Sequence, residues 1–421
     1  MIWLFLYKLL FLLITPFLCL LFAWRILKGK EDKTRFRERL GYPNYPRPDG
    51  KLIWMHGASV GECLSMLPLI QRLLELDTSI HIMVTSGTVT SAALMKKRLP
   101  DRAFHQFVPI DSPWGTRSFV RHFQPDAVFW FESEFWPNLL SAIHKEQIPL
   151  ILLNGRISDK SFARWQKAPN IIKSILNLFT LTLGQSPENA RRLQVLGSPQ
   201  VDCIGNIKYA AAIAPFDADE LNKLKQQIGQ RPAWNGASTH HNEEEQMADV
   251  HLELKQKYPT LLTVCVPRHP NRAEEIEAMC RKKGLQVARR SRQDMITDQT
   301  DFYLADTIGE MGLLYQLTDI VFVGGSLIPF GGQNMLEPMR LKRATIIGLH
   351  AFNFREIVAS AKEHNALIEV ENKEALARAI DMLLTHPETK QEIANNAEQV
   401  ATSEMNVLDR LYDLMKQRGI L

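Results

Sequence analysis

The sequence predicts an α/β protein of two successive doubly wound domains behind an N-terminal membrane-anchor helix. Three observations carry this. The first residues are almost wholly apolar, apolar strands then alternate with amphipathic helical stretches, and the alternation pauses once, at the small-residue and proline run Ala211–Ala218. A chain of 421 residues holds an anchor plus two domains of roughly 150–200 residues each. The expected division is an anchor over 1–27, an N-terminal domain over 28–210, a hinge over 211–218, a C-terminal domain over 219–400, and a last helix over 401–421 that returns to the N-terminal domain.

From Ile2 to Trp24 the chain is apolar apart from Lys8, Thr15 and a few small residues, enough to span or nearly span a hydrocarbon core of about 30 Å. Arg25, Lys28, Lys30, Lys33, Arg35, Arg37 and Arg39 follow, against only Glu31, Asp32 and Glu38. Such a flank stays cytoplasmic and keeps the remaining chain with it. No small-residue cleavage site precedes the basic run, so an anchor is expected rather than a cleaved signal peptide. Lys8 and Pro16 leave shallow insertion open. The basic run either sets topology alone or also meets anionic headgroups, at about 1 kcal/mol per charge.

The strand candidates of the first domain are Lys51–Met55, His81–Thr85, Ala103–Val108, Ala127–Phe131, Pro149–Leu153, Leu181–Gly184 and Val201–Ile204, with helices at Glu62–Leu76, Ser86–Lys97 and Trp136–Lys145. After the pause come Arg231–Ala237, Leu261–Val266, Gln286–Ala288, Phe302–Ala305, Ile320–Val323, Ala344–Gly348 and Leu367–Val370. Between them lie Glu243–Lys257, Arg272–Lys283, Met311–Thr318, Asn334–Leu341, Phe354–Glu363 and Lys373–Thr385. Such alternation builds a parallel sheet with helices on both faces, and two such domains facing each other form a cleft at the carboxyl ends of their strands.

Composition excludes several functions. The net charge of +4 is small for this length, and no helix-turn-helix, zinc-finger or RNP pattern accompanies it, so no nucleic-acid partner is expected. The five cysteines are scattered without CxxC spacing and read as reduced packing residues. Neither GxxxxGK[ST] nor a correctly placed GxGxxG occurs, which disfavours triphosphate hydrolysis and dinucleotide redox chemistry. The run His240–Glu245 lacks HExxH order, and its acidic residues suit a helix start. No metal and no cofactor is expected.

The loops after strands are where chemistry is sought. Met55-His56-Gly57-Ala58-Ser59-Val60-Gly61-Glu62 turns directly into a helix. Glu62 there can take a proton from an alcohol within about 3 Å, or serve simply as a helix-start glutamate favoured by the dipole. In Phe131-Glu132-Ser133-Glu134-Phe135-Trp136-Pro137-Asn138 two carboxylates share a face if the segment is extended, or one caps the helix at Pro137. Arg156, Lys160 and Arg164 place cations where acceptor phosphates can bind, or on a solvated surface. Gly205-Asn206-Ile207-Lys208 aims a cation at the cleft, suited to a carboxylate or a departing phosphate. In the second domain Arg268 suits bidentate phosphate binding. The glycine-rich segments Gly324–Ser326 and Phe330–Pro338 lead into a helix whose N–H groups can take a phosphate, and Glu337 in its first turn can meet a ribose hydroxyl.

The ordered set HGASVGE (His56–Glu62), ESEFWPN (Glu132–Asn138), NGRIS (Asn154–Ser158), GNIK (Gly205–Lys208), PRHP (Pro267–Pro270) and FVGGS…GGQNMLEP (Phe322–Pro338) resembles the 3-deoxy-D-manno-octulosonic acid (Kdo) transferases of lipopolysaccharide synthesis. The resemblance covers essentially the whole chain. It implies a GT-B fold, CMP-Kdo as donor, the lipid A precursor as acceptor, and an inner-membrane position with the catalytic domains on the cytoplasmic side, in contact with membrane lipids. Glu62 matches the family's general base for an inverting displacement, and Glu132 and Lys208 match residues that support the transition state. Pro267, Arg268, Gly309, Glu310, Met311, Asn334, Met335, Leu336 and Glu337 fall where the family holds CMP, and Ser59 and Arg156 are expected at the acceptor. The family commonly has His and Pro where Gln333 and Met335 stand. The rival readings are another GT-B glycosyltransferase using a UDP-sugar and a different lipid acceptor, and a membrane-tethered binding protein.

Overall fold

The computed structural model describes residues 2–29, 31–210 and 216–421, without the side chains at 2, 19, 23, 208, 210, 404 and 405. The chain forms two compact units, one of residues Met1–Ala211 with Glu404–Leu421 and one of Ala212–Ser403.

The first unit is built on a seven-stranded sheet: β1 (Lys51–His56), β2 (Ile80–Ser86), β3 (Ala103–Phe107), β4 (Ala127–Phe131), β5 (Leu150–Gly155), β6 (Leu181–Gly184) and β7 (Val201–Cys203), in the order β3-β2-β1-β4-β5-β6-β7. Every pairing is parallel. Strands buried on both faces need apolar side chains at successive positions, and Leu52 through Met55 and Ala127 through Phe131 are all buried. One face holds Ile53, Met55, Phe129 and Leu153 with the Val60–Leu76 helix, and the other holds Trp54, Trp130, Phe119 and Phe123. Full burial of each such side chain contributes about 1.5–3 kcal/mol.

The second unit has a second seven-stranded sheet, of β8 (Ala233–Thr239), β9 (Leu262–Pro267), β10 (Val287–Arg289), β11 (Phe302–Leu304), β12 (Ile320–Val323), β13 (Ala344–Gly348) and β14 (Ile368–Val370), in the order β10-β11-β9-β8-β12-β13-β14, so that β11 lies between β10 and β9 where the first sheet has no inserted strand. The direction of winding reverses between the neighbours β1 and β4 in the first sheet and between β8 and β12 in the second, and ligands of doubly wound sheets bind at such points.

Several boundaries differ from those the sequence predicts. Of the expected hinge, residues 211–215 lie outside the described residues, and Ala218 already opens the Ala218–Ile228 helix because Asp217 caps it, accepting from the N–H groups of Asp219 and Glu220 at 2.9 and 3.1 Å. The expected end of the second domain at residue 400 falls inside the Pro387–Met405 helix; the second unit runs to Ser403, and the next helix begins after Asn406. The Val407–Gln417 helix then buries Val407, Leu411 and Met415 in the core of Cys63, Met66 and Ile207. The helices expected at Met311–Thr318 and Asn334–Leu341 shrink to Met311–Leu314 and Leu336–Arg340. A helix at Pro113–Phe123, unmarked in the sequence reading, starts at Ser112, whose Oγ accepts from the Gly115 N–H at 3.1 Å.

The N-terminal helix, Ile2–Leu27, is long and apolar enough to cross a membrane by length and composition. Part of the basic run that follows is consumed by the fold. Arg25 and Arg39 both pair with buried Glu31, at 3.0 and 3.3 Å, and Arg35 pairs with buried Glu38 at 2.7 Å.

Candidate active site

β1 delivers the chain into a tight turn at Gly57. A Cβ at Gly57 would stand 2.2 Å from the Met66 Cε and 3.1 Å from the Glu62 Cβ. Ser59 then caps the Val60–Leu76 helix, and the Ser-x-x-Glu spacing makes a variant of the capping box in which the Glu62 carboxylate reaches the Ala58 N–H in place of that of Ser59. The Glu62 N–H donates to Ser59 Oγ at 3.2 Å, Ser59 Oγ–H donates to Glu62 Oε1 at 2.7 Å, and the Ala58 N–H donates to Oε2 at 2.8 Å. The helix-start role is therefore real. It also holds the carboxylate at the wall of a cavity of about 300 Å³, lined by Glu62, Glu132, Ser133, Glu134, Arg156, Ser158 and Ser161.

Burial raises the Glu62 pKa above its ordinary value. The hydrogen bonds from Ser59 and Ala58 pull it back, and the charges of Glu132 and Glu134 push it up again. A carboxylate so treated is a stronger base than one in water.

Glu132 comes from the end of β4, on the other side of the winding reversal from Glu62. Its backbone is left-handed, at φ +58°, a conformation that costs a non-glycine residue about 1–2 kcal/mol. Its N–H is fixed on the Leu153 carbonyl at 2.9 Å. The segment is thus a turn and not the extended stretch expected, yet Glu132 and Glu134 still reach the same cavity. Neither caps the helix at Pro137. Asp111, from the loop after β3, accepts the Asn138 and Leu139 N–H groups at 3.1 and 2.8 Å, and no periodicity in the sequence announces that partnership.

Asn154, next to last in β5, is also left-handed at φ +56°, and its buried Oδ1 accepts the Ile207 N–H at 3.1 Å. This bond ties the Asn154–Ser158 loop to the short 3-10 turn Ile207–Ala210 that carries Lys208. The Lys208 side chain lies outside the described residues. The Arg156 N–H donates to Ser133 Oγ at 3.1 Å, linking the loops after β4 and β5, and its exposed side chain lines the cavity. Lys160 and Arg164 are exposed on the following helix and do not line it. Ser59, also exposed, acts through its bonds to Glu62.

In the second unit the glycine loop Gly324–Ser326 follows β12. A Cβ at Gly324 would lie 2.6 Å from the Thr239 Cα, so the close approach of β8 demands glycine. The N–H groups here are not open to a phosphate. Buried Glu243 takes them, accepting from Gly325, Ser326 and Leu327 at 2.6, 3.0 and 3.0 Å and from His240 at 2.9 Å. Beside this plug the His240 ring lies against Phe330, with centroids 3.9 Å apart, and its Nε2 meets the Gln333 amide at 2.9 Å.

The expected donor residues divide by exposure. Arg268, after buried Pro267, is exposed, with its N–H on the Thr239 carbonyl at 2.9 Å. Asn334 and Glu337 are half-buried and bonded to each other at 3.1 Å, and Asn334 Oδ1 also accepts the Leu336 N–H at 3.2 Å. Met335 and Leu336 are fully buried, so only their main chain is available to a ligand. The Glu310 carboxylate is held by Arg290 at 2.6 and 3.1 Å and by Thr307 Oγ1, beside a separate cavity of about 530 Å³. Gly309, at φ +89°, gives that turn its shape, and Met311 starts the helix after it.

Comparison with known proteins adds to this geometry. Residues 34–211 match the family described as 3-deoxy-D-manno-octulosonic-acid transferase, and residues 282–400 match the glycosyl transferases group 1. The chain is 33% identical to a 3-deoxy-D-manno-octulosonic acid transferase of Haemophilus influenzae, covering 98% of each chain. It is 34% identical to a probable mitochondrial 3-deoxy-D-manno-octulosonic acid transferase of Arabidopsis thaliana, covering 89% of this chain and 86% of that one. Among solved structures, a Rickettsia africae glycosyltransferase overlays with a TM-score of 0.61 at 15% identity, covering 89% of this chain and 99% of that one. A putative UDP-N-acetylglucosamine 2-epimerase of Listeria monocytogenes overlays with the same TM-score at 12% identity, covering 88% and 97%. Likeness at that level speaks for the fold alone.

Proposed function

This chain belongs to the 3-deoxy-D-manno-octulosonic acid (Kdo) transferases, a family of GT-B glycosyltransferases, and from that premise we propose that it moves Kdo from CMP-Kdo to a hydroxyl of the lipid A precursor, lipid IVA, with inversion at the anomeric carbon. The observation that supports this reading is the cavity in which Glu62 stands with Glu132 and Arg156 at the winding reversal of the first sheet.

In this scheme the acceptor hydroxyl gives its proton to Glu62, its oxygen forms the bond to the anomeric carbon, and CMP departs with the electron pair of the broken C–O bond. Burial raises the basicity of Glu62 while Ser59 and Ala58 hold its aim. Glu132 and Lys208 support the developing charge, and Arg156 with Ser59 receives the acceptor. CMP is held by Arg268 and Pro267, by the turn Gly309–Met311, and by Asn334 to Glu337, with Met335 and Leu336 contributing main chain only. No metal or cofactor takes part. The Ile2–Leu27 helix keeps the enzyme at the cytoplasmic face of the inner membrane, where a lipid acceptor is concentrated.

The test is incubation of the purified protein with CMP-Kdo, generated in place, and a lipid A precursor, followed by mass measurement of the product. A mass gain of whole Kdo residues is expected. Thermal stabilisation by UDP in preference to CMP would overturn the donor assignment.

A further inference from the structure

The Ile2–Leu27 helix lies along the first unit. Half-buried positions recur at Trp3, Tyr7, Phe11, Leu18, Phe22 and Ile26, a single helical face, while Phe5, Leu9, Leu13, Phe17, Leu20 and Trp24 form the opposite, exposed face. Both ends are fastened to the unit. Trp3 Nε1–H donates to Ser174 Oγ at 2.8 Å and Tyr7 OH to Asp111 Oδ2 at 2.9 Å, while the Phe22 ring packs at a tilt against Phe36 and Arg25 pairs with Glu31. Trp3 and Phe22 are separated by about 28 Å of helix, nearly the thickness of the hydrocarbon core. Crossing the bilayer would carry Trp3 and Tyr7 to the far side, where neither Ser174 nor Asp111 can follow.

Beside the helix is a cavity of about 540 Å³ lined by Lys8, Arg117, Arg121, Lys145 and Glu146 among others. Arg121 is paired with Glu146 at 2.9 Å, and Lys8 and Lys145 stand close enough to repel one another. Ser141, 5% exposed, also lines the cavity, and its Oγ has no partner among the described residues. Cations facing each other with an unused hydroxyl describe a site for an anionic oxygen.

We propose that this helix lies in the plane of one leaflet with its outer face in the acyl region, and that the Lys8, Arg117 and Lys145 cavity takes the phosphate of an anionic phospholipid headgroup. An apolar face sunk beside cationic groups is how in-plane helices hold a charged leaflet. The proposal rests on the reading of this helix as the membrane-associating segment.

The test uses the full chain carrying Trp3→Cys and Ser174→Cys, treated with a short bis-maleimide in membranes and in detergent. A cross-link in both is expected. A cross-link in detergent alone, or in neither, overturns the in-plane placement, and absence of the chain from membranes overturns the reading beneath it without touching the transferase assay. For the headgroup site, K8Q/K145Q is expected to lower binding to phosphatidylglycerol vesicles by about fivefold per cation removed. Binding to phosphatidylcholine vesicles stays unchanged, and millimolar inorganic phosphate does not displace the wild-type chain. Equal phosphatidylglycerol binding by the variant and the wild type, or displacement by phosphate, overturns it.

Discussion

Ser59 and Glu62 hold each other reciprocally, the hydroxyl accepting from the Glu62 N–H at 3.2 Å and donating to its Oε1 at 2.7 Å. One contact therefore both starts a helix and steadies a carboxylate. Ser59→Ala is expected to remove about 1 kcal/mol of stability through the lost cap. It also removes a donor to the ionised carboxylate, which raises the Glu62 pKa further. The acidic limb of the kcat/KM profile then moves to higher pH, a shift that a purely structural cap would not produce.

Glu62→Gln separates chemistry from architecture. The amide oxygen can still accept the Ala58 N–H, and Ser59 Oγ can accept from the new amide, so the thermal transition should move little. Turnover should fall by about 10²–10⁴-fold, the usual worth of a positioned base. Initial rates at saturating donor and acceptor measure it, and a loss below about threefold would remove Glu62 from the base role.

How far the sequence carried this reading varies by feature. The strands Ala127–Phe131, Leu181–Gly184, Ile320–Val323 and Ala344–Gly348 were read to the residue, because parallel strands buried on both faces are unbroken apolar runs. Glu62, Glu132 and Arg156 were legible because each follows a strand's carboxyl end, and they do meet in one cavity. Asp111 and Glu243 were not legible as caps. The Asp111 partners lie 27 and 28 residues away, and three of the four Glu243 partners 82 to 84 residues away, along the chain, and a side chain that satisfies distant N–H groups leaves no local pattern. The pairing of Glu31 and Glu38 with three arginines of the basic run is local, 3 to 8 residues apart, but an excess of basic residues does not itself say which of them the acidic ones bind.

Asp111 supports the site from below. Asp111→Ala leaves the Asn138 and Leu139 N–H groups without their acceptor and releases Tyr7. Orphaned buried N–H groups cost about 1–3 kcal/mol each, so a loss of roughly 2–6 kcal/mol is expected in denaturant titration. Because Tyr7 sits on the N-terminal helix, the same variant should also cross-link less efficiently between positions 3 and 174.

Glu243→Ala strikes the second unit harder, since four backbone donors lose one carboxylate. Calorimetry should show a destabilisation of roughly 4 kcal/mol or more and a weaker shift on adding CMP, whereas Glu243→Gln, which keeps one acceptor oxygen, should fall between the two.

Acid should weaken the first unit through His105. Burial, with the nearby charges of Arg35 and Arg39, lowers its pKa to about 3, against about 6.5 in an unfolded chain. Arg35 donates toward Nδ1 at 3.2 Å, so the proton of the neutral ring stays on Nε2 and faces Ser86 Oγ at 2.8 Å. Between these two values the unfolded chain binds a proton that the folded one refuses, so the stability owed to the neutral ring is complete above about 6.5 and is lost as pH falls toward 3. Glu62 and Asp111, whose values are raised, act with the opposite sign in the acid range, so total stability does not isolate the histidine. The difference between wild type and His105→Gln does. That difference should shrink by about 1.4 kcal/mol per pH unit well below 6.5, and urea titrations at pH 7, 6 and 5 measure it. A difference that stays constant across the three would mean that His105 is not held neutral by the fold.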